Sequence, residues 1–228
     1  MTIVEEIALR QSMRFGFLVV GALVAVVYAV LFCYRGPSRT KTLIKAVPML
    51  AFSAAAGISF GYQLIVSALL LSAVGDIGLS LKGKRAFLIG LIASALAHLA
   101  YIFHFFALSG YDTSTINLAI FGVLSLVVIS DVWIIPHTDT VQRLLWANVV
   151  LLATTGIVAL SLPVTPLAKF GALAFLTSEV LVGLQIFSTS ASSFQQRSVS
   201  ILQWLLYVAG QLAILMAVGW KTPLFQIW

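Results

Sequence analysis

The chain has 228 residues, 61% of them hydrophobic and 9% charged, with a mean hydropathy of +1.09. Soluble domains carry about 25% charged residues, so this composition excludes an ordinary water-soluble fold and marks an integral membrane protein. The net charge of +6 rests on 13 Lys and Arg against 7 Asp and Glu, which reads as a loop bias rather than a nucleic-acid footprint.

Residues 1–15 set Glu5, Glu6, Arg10 and Arg14 among Ile3, Ile7 and Leu9, a pattern for either a short interfacial helix or a frayed terminus. Eight apolar runs follow, at 16–34, 44–61, 63–81, 86–107, 116–135, 143–162, 166–187 and 199–219. Each approaches the ~20 residues a helix needs to cross a ~30 Å hydrocarbon core, and none shows the alternation of a barrel strand. The expectation is all-α: one polytopic domain over 1–228, eight transmembrane helices in one bundle. The first run is too long for the apolar part of a signal peptide and lacks a small-x-small exit. Only Gly61 and Tyr62 separate spans two and three, predicting a tight helical hairpin, and Pro48 falls in the first turn of span two, where proline is tolerated. The single cysteine, Cys33, has no disulfide partner and no metal-ligand neighbours, so neither a metal nor a cofactor is expected.

Loops after spans one, three, five and seven hold nine of the basic residues: Arg35, Arg39, Lys41, Lys45, Lys82, Lys84, Arg85, Arg143 and Arg197. The other side holds four: Arg10, Arg14, Lys169 and Lys221. The positive-inside rule then places the nine in the cytoplasm and the termini outside, although Arg10 and Arg14 beside the first span argue the other way.

Ser67–Leu81 reads SALLLSAVGDIGLSL and Gly171–Leu184 reads GALAFLTSEVLVGL, two apolar segments with one acid each, Asp76 and Glu179. A carboxylate at mid-membrane costs about 2.5–3.5 kcal/mol on insertion scales, so it is rarely kept without a task. A shift of 103 positions lays Ala68–Leu81 on Gly171–Leu184 and superposes the two acids, as two four-helix halves in parallel repeat would require. Each acid lies about 12–13 residues into its span, roughly 20 Å at 1.5 Å per residue. The bland reading of each is an ion pair, but no Lys or Arg is expected at that depth, which favours a membrane-embedded carboxylate pair.

Other polar groups gather near the same level: His98 and Tyr101 on one face of span four, Tyr207 and Gln211 on one face of span eight, and Lys45 opening span two. Together they would line a polar pocket open toward the basic loops. The competing readings are interhelical hydrogen bonding for Tyr207 and Gln211, a packing role for His98 and His104, and a solvated helix end for Asp131. Lys82, Lys84 and Arg85 are a topology signal first and a phospholipid contact second.

These segments bear a resemblance. GDIGLSL at 75–81, FLIGLIASALAHLAYIFHF at Phe87–Phe105, GALAFLTSEVLVGLQIF at 171–187 and LYVAGQLAI at Leu206–Ile214, with Lys45 and Pro48, resemble the lysoplasmalogenase family of YhhN-like membrane proteins in order and over most of the chain. The resemblance implies an eight-helix hydrolase that cleaves the vinyl ether of lysoplasmalogens into a fatty aldehyde and glycerophosphocholine or glycerophosphoethanolamine. Asp76 matches the family's Gly-Asp acid. Glu179 stands where the family has aspartate, which puts rate and substrate choice in question more than reaction class.

The chemistry suits the residues. Vinyl ether hydrolysis protonates the carbon β to oxygen, water captures the oxocarbenium ion, and the hemiacetal collapses. Two carboxyl groups flanking the bond supply acid, anion and water activation, as in glycoside hydrolysis. Asp76 and Glu179 are then the acid and the base or stabiliser in either order. His98, Tyr101, Tyr207 and Gln211 would position water and glycerol oxygens, while Lys45 with Lys82, Lys84 or Arg85 would hold the phosphate. The partners are a lysophospholipid substrate and membrane lipids, in the cell or inner membrane of a bacterium or the endoplasmic reticulum of a eukaryote. The rivals are a proton-coupled carrier using the same acids as a relay, and a non-enzymatic lysolipid-binding protein. Against the carrier, no span carries paired Gly or Pro at its middle.

Overall fold

The computed structural model describes residues 2–109, 142–161, 165–187 and 193–220. All its elements are helices: α1 (Ile3–Leu31), α2 (Arg39–Ile58), α3 (Gln63–Ser80), α4 (Lys84–Ser109), α5 (Gln142–Ser161), α6 (Pro166–Phe187) and α7 (Ser193–Val218). Five of them, α1 to α4 and α7, are long and apolar enough to cross a membrane, as expected of an integral membrane protein. The expected span 116–135 with its Asp131, and with it the eighth helix and the two four-helix halves, lies outside the described residues.

Several helices begin earlier than hydropathy predicts, and for two of them, α1 and α2, the early start has a capping cause. α1 starts at Ile3 because Thr2 and Glu5 form a reciprocal capping box, with the Thr2 amide donating to the Glu5 carboxylate at 2.7 Å. Residues 3–15 are therefore neither a separate interfacial helix nor a frayed end; they are the first half of a 29-residue helix about 43 Å long. Its polar face docks on the same end of the bundle. Arg10 pairs with Glu6 at 2.8 Å and donates to the Ile58 carbonyl at 3.0 Å, and the Arg14 guanidinium sits 3.6 Å from the Trp220 ring centre. α2 starts at Arg39, where the Ser38 hydroxyl accepts from the Lys41 amide at 3.2 Å. Pro48 is consequently in the helix interior and not in its first turn. The carbonyl it leaves free is the kind that neighbouring helices can re-satisfy in a membrane bundle. Lys45 moves inward with the same shift.

The hairpin between α2 and α3 is as tight as Gly61 and Tyr62 suggested. Phe60 takes a left-handed conformation (φ 54°) and the Gly61 amide donates to the Ala56 carbonyl at 2.8 Å. Glycines then set two close crossings. A Cβ on Gly78 of α3 would lie 2.6 Å from the Gly90 backbone of α4, and a Cβ on Gly210 of α7 would lie 2.7 Å from the Phe175 nitrogen of α6. Without a hydrophobic force between helices in lipid, such small-residue contacts carry the packing. They also fix the two helices that bear the acids, since Asp76 is two residues before Gly78 and Glu179 is one turn beyond Phe175. α7 supplies the middle of the core. Trp204, Gln211, Ile214 and Leu215 are fully buried, and Trp204 donates to the Ala25 carbonyl of α1 at 2.9 Å.

Backbone cannot yield as a side chain can, so Gly78→Leu is expected to cost about 1–3 kcal/mol or more by overpacking. Gly16→Ala, whose Cβ meets nothing within 4 Å, should leave stability unchanged or raise it. Thermal unfolding of both variants in one detergent checks the contrast.

Candidate active site

Asp76 sits one turn before the end of α3, 7% exposed, at the centre of a contact between three helices. The Lys45 ammonium of α2 lies 2.8 Å from its Oδ1, and the Tyr207 hydroxyl of α7 donates to its Oδ2 at 2.9 Å. Each carboxylate oxygen thus has its own donor. The expectation that no Lys or Arg lies at this depth does not hold. A cation does reach the depth of Asp76, because the early start of α2 puts Lys45 six residues, about 9 Å, inside the helix and its stem spans the rest. Lys45 is the partner of Asp76 and not a free phosphate ligand.

Glu179 of α6 faces the same space from the other side. Among the described residues its carboxyl group makes no hydrogen bond and has no ion-pair partner. Asp76 and Glu179, with Leu79 and Tyr207, bound both a cavity of about 410 Å³ and a smaller chamber of about 30 Å³. They form the partition between the two. The larger cavity runs from this partition past Lys45 and Trp204 to Lys41 and the exposed Pro37, at the end of the bundle that carries the basic α1–α2 and α3–α4 loops. The smaller chamber lies behind, against Ser72, Ser94, His98 and Phe175.

The remaining expected site residues divide. His98 is 2% exposed and bounds the chamber, with its ring stacked on Phe175 at 5.3 Å and its Nδ1 3.3 Å from the Thr155 hydroxyl. Tyr101 and Gln211 bound neither space. Tyr101 donates to the Gln211 carbonyl oxygen, and the Gln211 amide reaches the Ser72 hydroxyl at 3.4 Å. That is the interhelical hydrogen bonding a polar pair in lipid adopts, one layer behind the site. His104 is bonded to the Val218 carbonyl at the opposite end. Lys82, Lys84 and Arg85 are exposed where α3 passes to α4 and do not bound the cavity, so the expected phosphate role has no geometric basis for them. The cation at the cavity mouth is Lys41, whose ammonium donates to the Cys33 carbonyl at 3.1 Å and to that of Arg35.

The family whose model matches the chain is the YhhN family, over residues 40–218, more than three quarters of its length. The chain belongs to the YhhN family. YhhN-like proteins are the lysoplasmalogenase family, as the ordered motifs implied. No curated protein and no solved structure matches the chain. The YhhN match runs from the start of α2 to the end of α7 and takes in Lys41, Lys45, Asp76, His98, Thr155, Glu179 and Tyr207, leaving α1 outside.

Three residues of this candidate site escaped the sequence reading. Lys41 was legible, since it lies four residues before Lys45 and therefore on the same helix face. Trp204, which walls the cavity beside Lys45, read as one more apolar residue. Thr155 carried no signal at all, because a threonine in an apolar run usually bonds its own helix.

Removing one partner of a largely buried ion pair leaves the other charge uncompensated. Lys45→Met is therefore expected to cost about 3 kcal/mol. Adding Asp76→Asn should restore at least half of that loss, since the charge left behind is then gone. A double-mutant cycle of thermal unfolding in detergent measures the coupling.

Proposed function

We propose that this YhhN protein is a lysoplasmalogenase, a membrane-embedded hydrolase of the vinyl ether bond. One observation carries the reading: two carboxyl groups from different helices bound one cavity, only one of them held by a cation. That asymmetry separates their roles. Asp76, with donors on both oxygens, is the fixed anion that steadies the oxocarbenium ion. Glu179, free of such partners among the described residues, is the carboxyl that delivers a proton to the alkenyl carbon. The family's aspartate is one methylene shorter, and the glutamate here reaches about an ångström further from α6.

The cavity lies within the ~300–1,000 Å³ of small-molecule sites, enough for a glycerophosphodiester head while the alkenyl chain continues among the helices. Lys41 at the mouth meets the phosphate. The lysine and arginine count supports a mouth at the cytoplasmic leaflet. In the reaction, Glu179 protonates the carbon β to oxygen, water adds to the carbon bearing oxygen, and the hemiacetal breaks to aldehyde and glycerophosphodiester. Saturated ethers and acyl esters offer no alkenyl carbon to protonate, so neither is a substrate for this chemistry.

Purified protein given lysoplasmenylethanolamine should release fatty aldehyde and glycerophosphoethanolamine in equal amounts. In D2O the aldehyde should carry one deuterium on the carbon next to its carbonyl. Asp76→Asn should lower kcat by 10²-fold or more while the protein stays folded. Cleavage of lysoacyl lipids, or proton-coupled flux into liposomes with no aldehyde, would contradict the proposal. Lys41→Met should raise KM for the phosphodiester substrate about tenfold with little change in kcat, and should not alter turnover of an alkenylglycerol that lacks phosphate. Both are read from one coupled aldehyde assay.

A further inference from the structure

The chamber behind the acids is far smaller than the cavity in front of them. With about 30 Å³ open to water, more than the ~10–15 Å³ that one water sphere occupies, it has room for water. Its wall is polar enough to hold them, with Ser72, Ser94 and His98 added to the two acids and Tyr207. Water there stands next to the partition where the alkenyl ether would lie.

The hydrogen bonds around His98 select a tautomer. The Thr155 hydroxyl is 2.8 Å from the Leu151 carbonyl of its own helix, and a carbonyl can only accept. Thr155 has one hydroxyl proton and gives it to Leu151. Toward His98, 3.3 Å away, it can therefore only accept, and Nδ1 of His98 must be the nitrogen that carries hydrogen. A neutral imidazole protonated at Nδ1 has its lone pair on Nε2. Stacking against Phe175 holds the ring plane.

We infer that His98 is the general base for water held in the inner chamber, and that Thr155 is a positioning residue that sets its tautomer from α5. The inference rests on the vinyl ether reading for the electrophile that water meets. Once Glu179 has protonated the alkenyl carbon, the water oxygen bonds to the carbon bearing oxygen and one water proton passes to Nε2 of His98. The imidazolium then returns that proton to the glycerol oxygen as the carbon–oxygen bond breaks. The hemiacetal hydroxyl proton passes to the Glu179 carboxylate. The sum is one water consumed, and both side chains regain their starting state. Asp76 is unsuited to the role because Lys45 and Tyr207 occupy its oxygens. Glu179 is the competing base, since its carboxylate also bounds the chamber once its proton is gone. Thr155 separates the two, because its side chain bonds to His98 and its own helix.

The test uses the full chain in nanodiscs with nitrogen-15-labelled histidine, His98→Gln serving to assign the signal, beside the aldehyde assay. The wild type should show His98 protonated at Nδ1. Thr155→Val should lose that preference and lower kcat about tenfold at unchanged KM, while Thr155→Ser keeps both the signal and the rate. His98→Gln should lower kcat by 10²–10⁴-fold. Protonation at Nε2 in the wild type would overturn the inference, as would wild-type kcat in His98→Gln or Thr155→Val. If Asp76→Asn is inactive and His98→Gln is not, the hydrolase reading stands and this inference falls. If the wild type itself releases no aldehyde, the hydrolase reading falls first and the base role falls with it.

Discussion

Three helices meet on the carboxylate of Asp76, and much of the site follows from that contact. Lys45 comes from α2, the acid from α3 and Tyr207 from α7, so the pair and its hydroxyl donor act as a tie at a depth where apolar packing alone gives little direction. A buried ion pair is weak evidence for stability, because desolvation offsets much of the attraction. A hydrophobic trio could close the same gap more cheaply. The retention of charge at this point therefore speaks for chemistry, which supports the reading of Asp76 as a fixed anion.

The glycine crossings supply the geometry that the tie exploits. Gly78 against Gly90, and Gly210 against the Phe175 backbone, bring α3 to α4 and α6 to α7 at backbone contact. The acids are carried along as passengers of those crossings and come to bound one partition from opposite sides. Larger residues at the crossings would push the helices apart and open the partition. The site thus depends on positions with no functional group at all, and the polar layer of Tyr101, Gln211 and Ser72 braces it from behind.

What could be read in the sequence, and what could not, follows physical lines. Asp76 and Glu179 stood out because a lone acid in an apolar segment is costly, and the structure puts both on one cavity. The helical class and most spans were legible from run length. The Lys45–Asp76 pair was not, because span two was started at its first apolar residues rather than at the Ser38 cap six residues earlier, and depth was judged from backbone position without the reach of a lysine stem. The same preference for hydropathy over capping hid the continuity of α1, although Thr2 and Glu5 had the spacing of a capping box. Tyr101 and Gln211 were indistinguishable from cavity residues by spacing, since helix register gives the face and not what stands opposite. Lys82, Lys84 and Arg85 illustrate the converse: charge near the right end of the bundle says nothing about pointing inward.

The most direct test of the account is an experimental structure with a bound 1-O-alkyl lysophosphoethanolamine, whose saturated ether occupies the substrate's place and cannot be protonated at carbon. The account places the glycerol ether oxygen and its first chain carbons at the partition between Asp76 and Glu179, with the phosphate at Lys41 and the chain leaving between helices. A ligand seated elsewhere on the bundle, with the Asp76–Glu179 partition left empty, would contradict it.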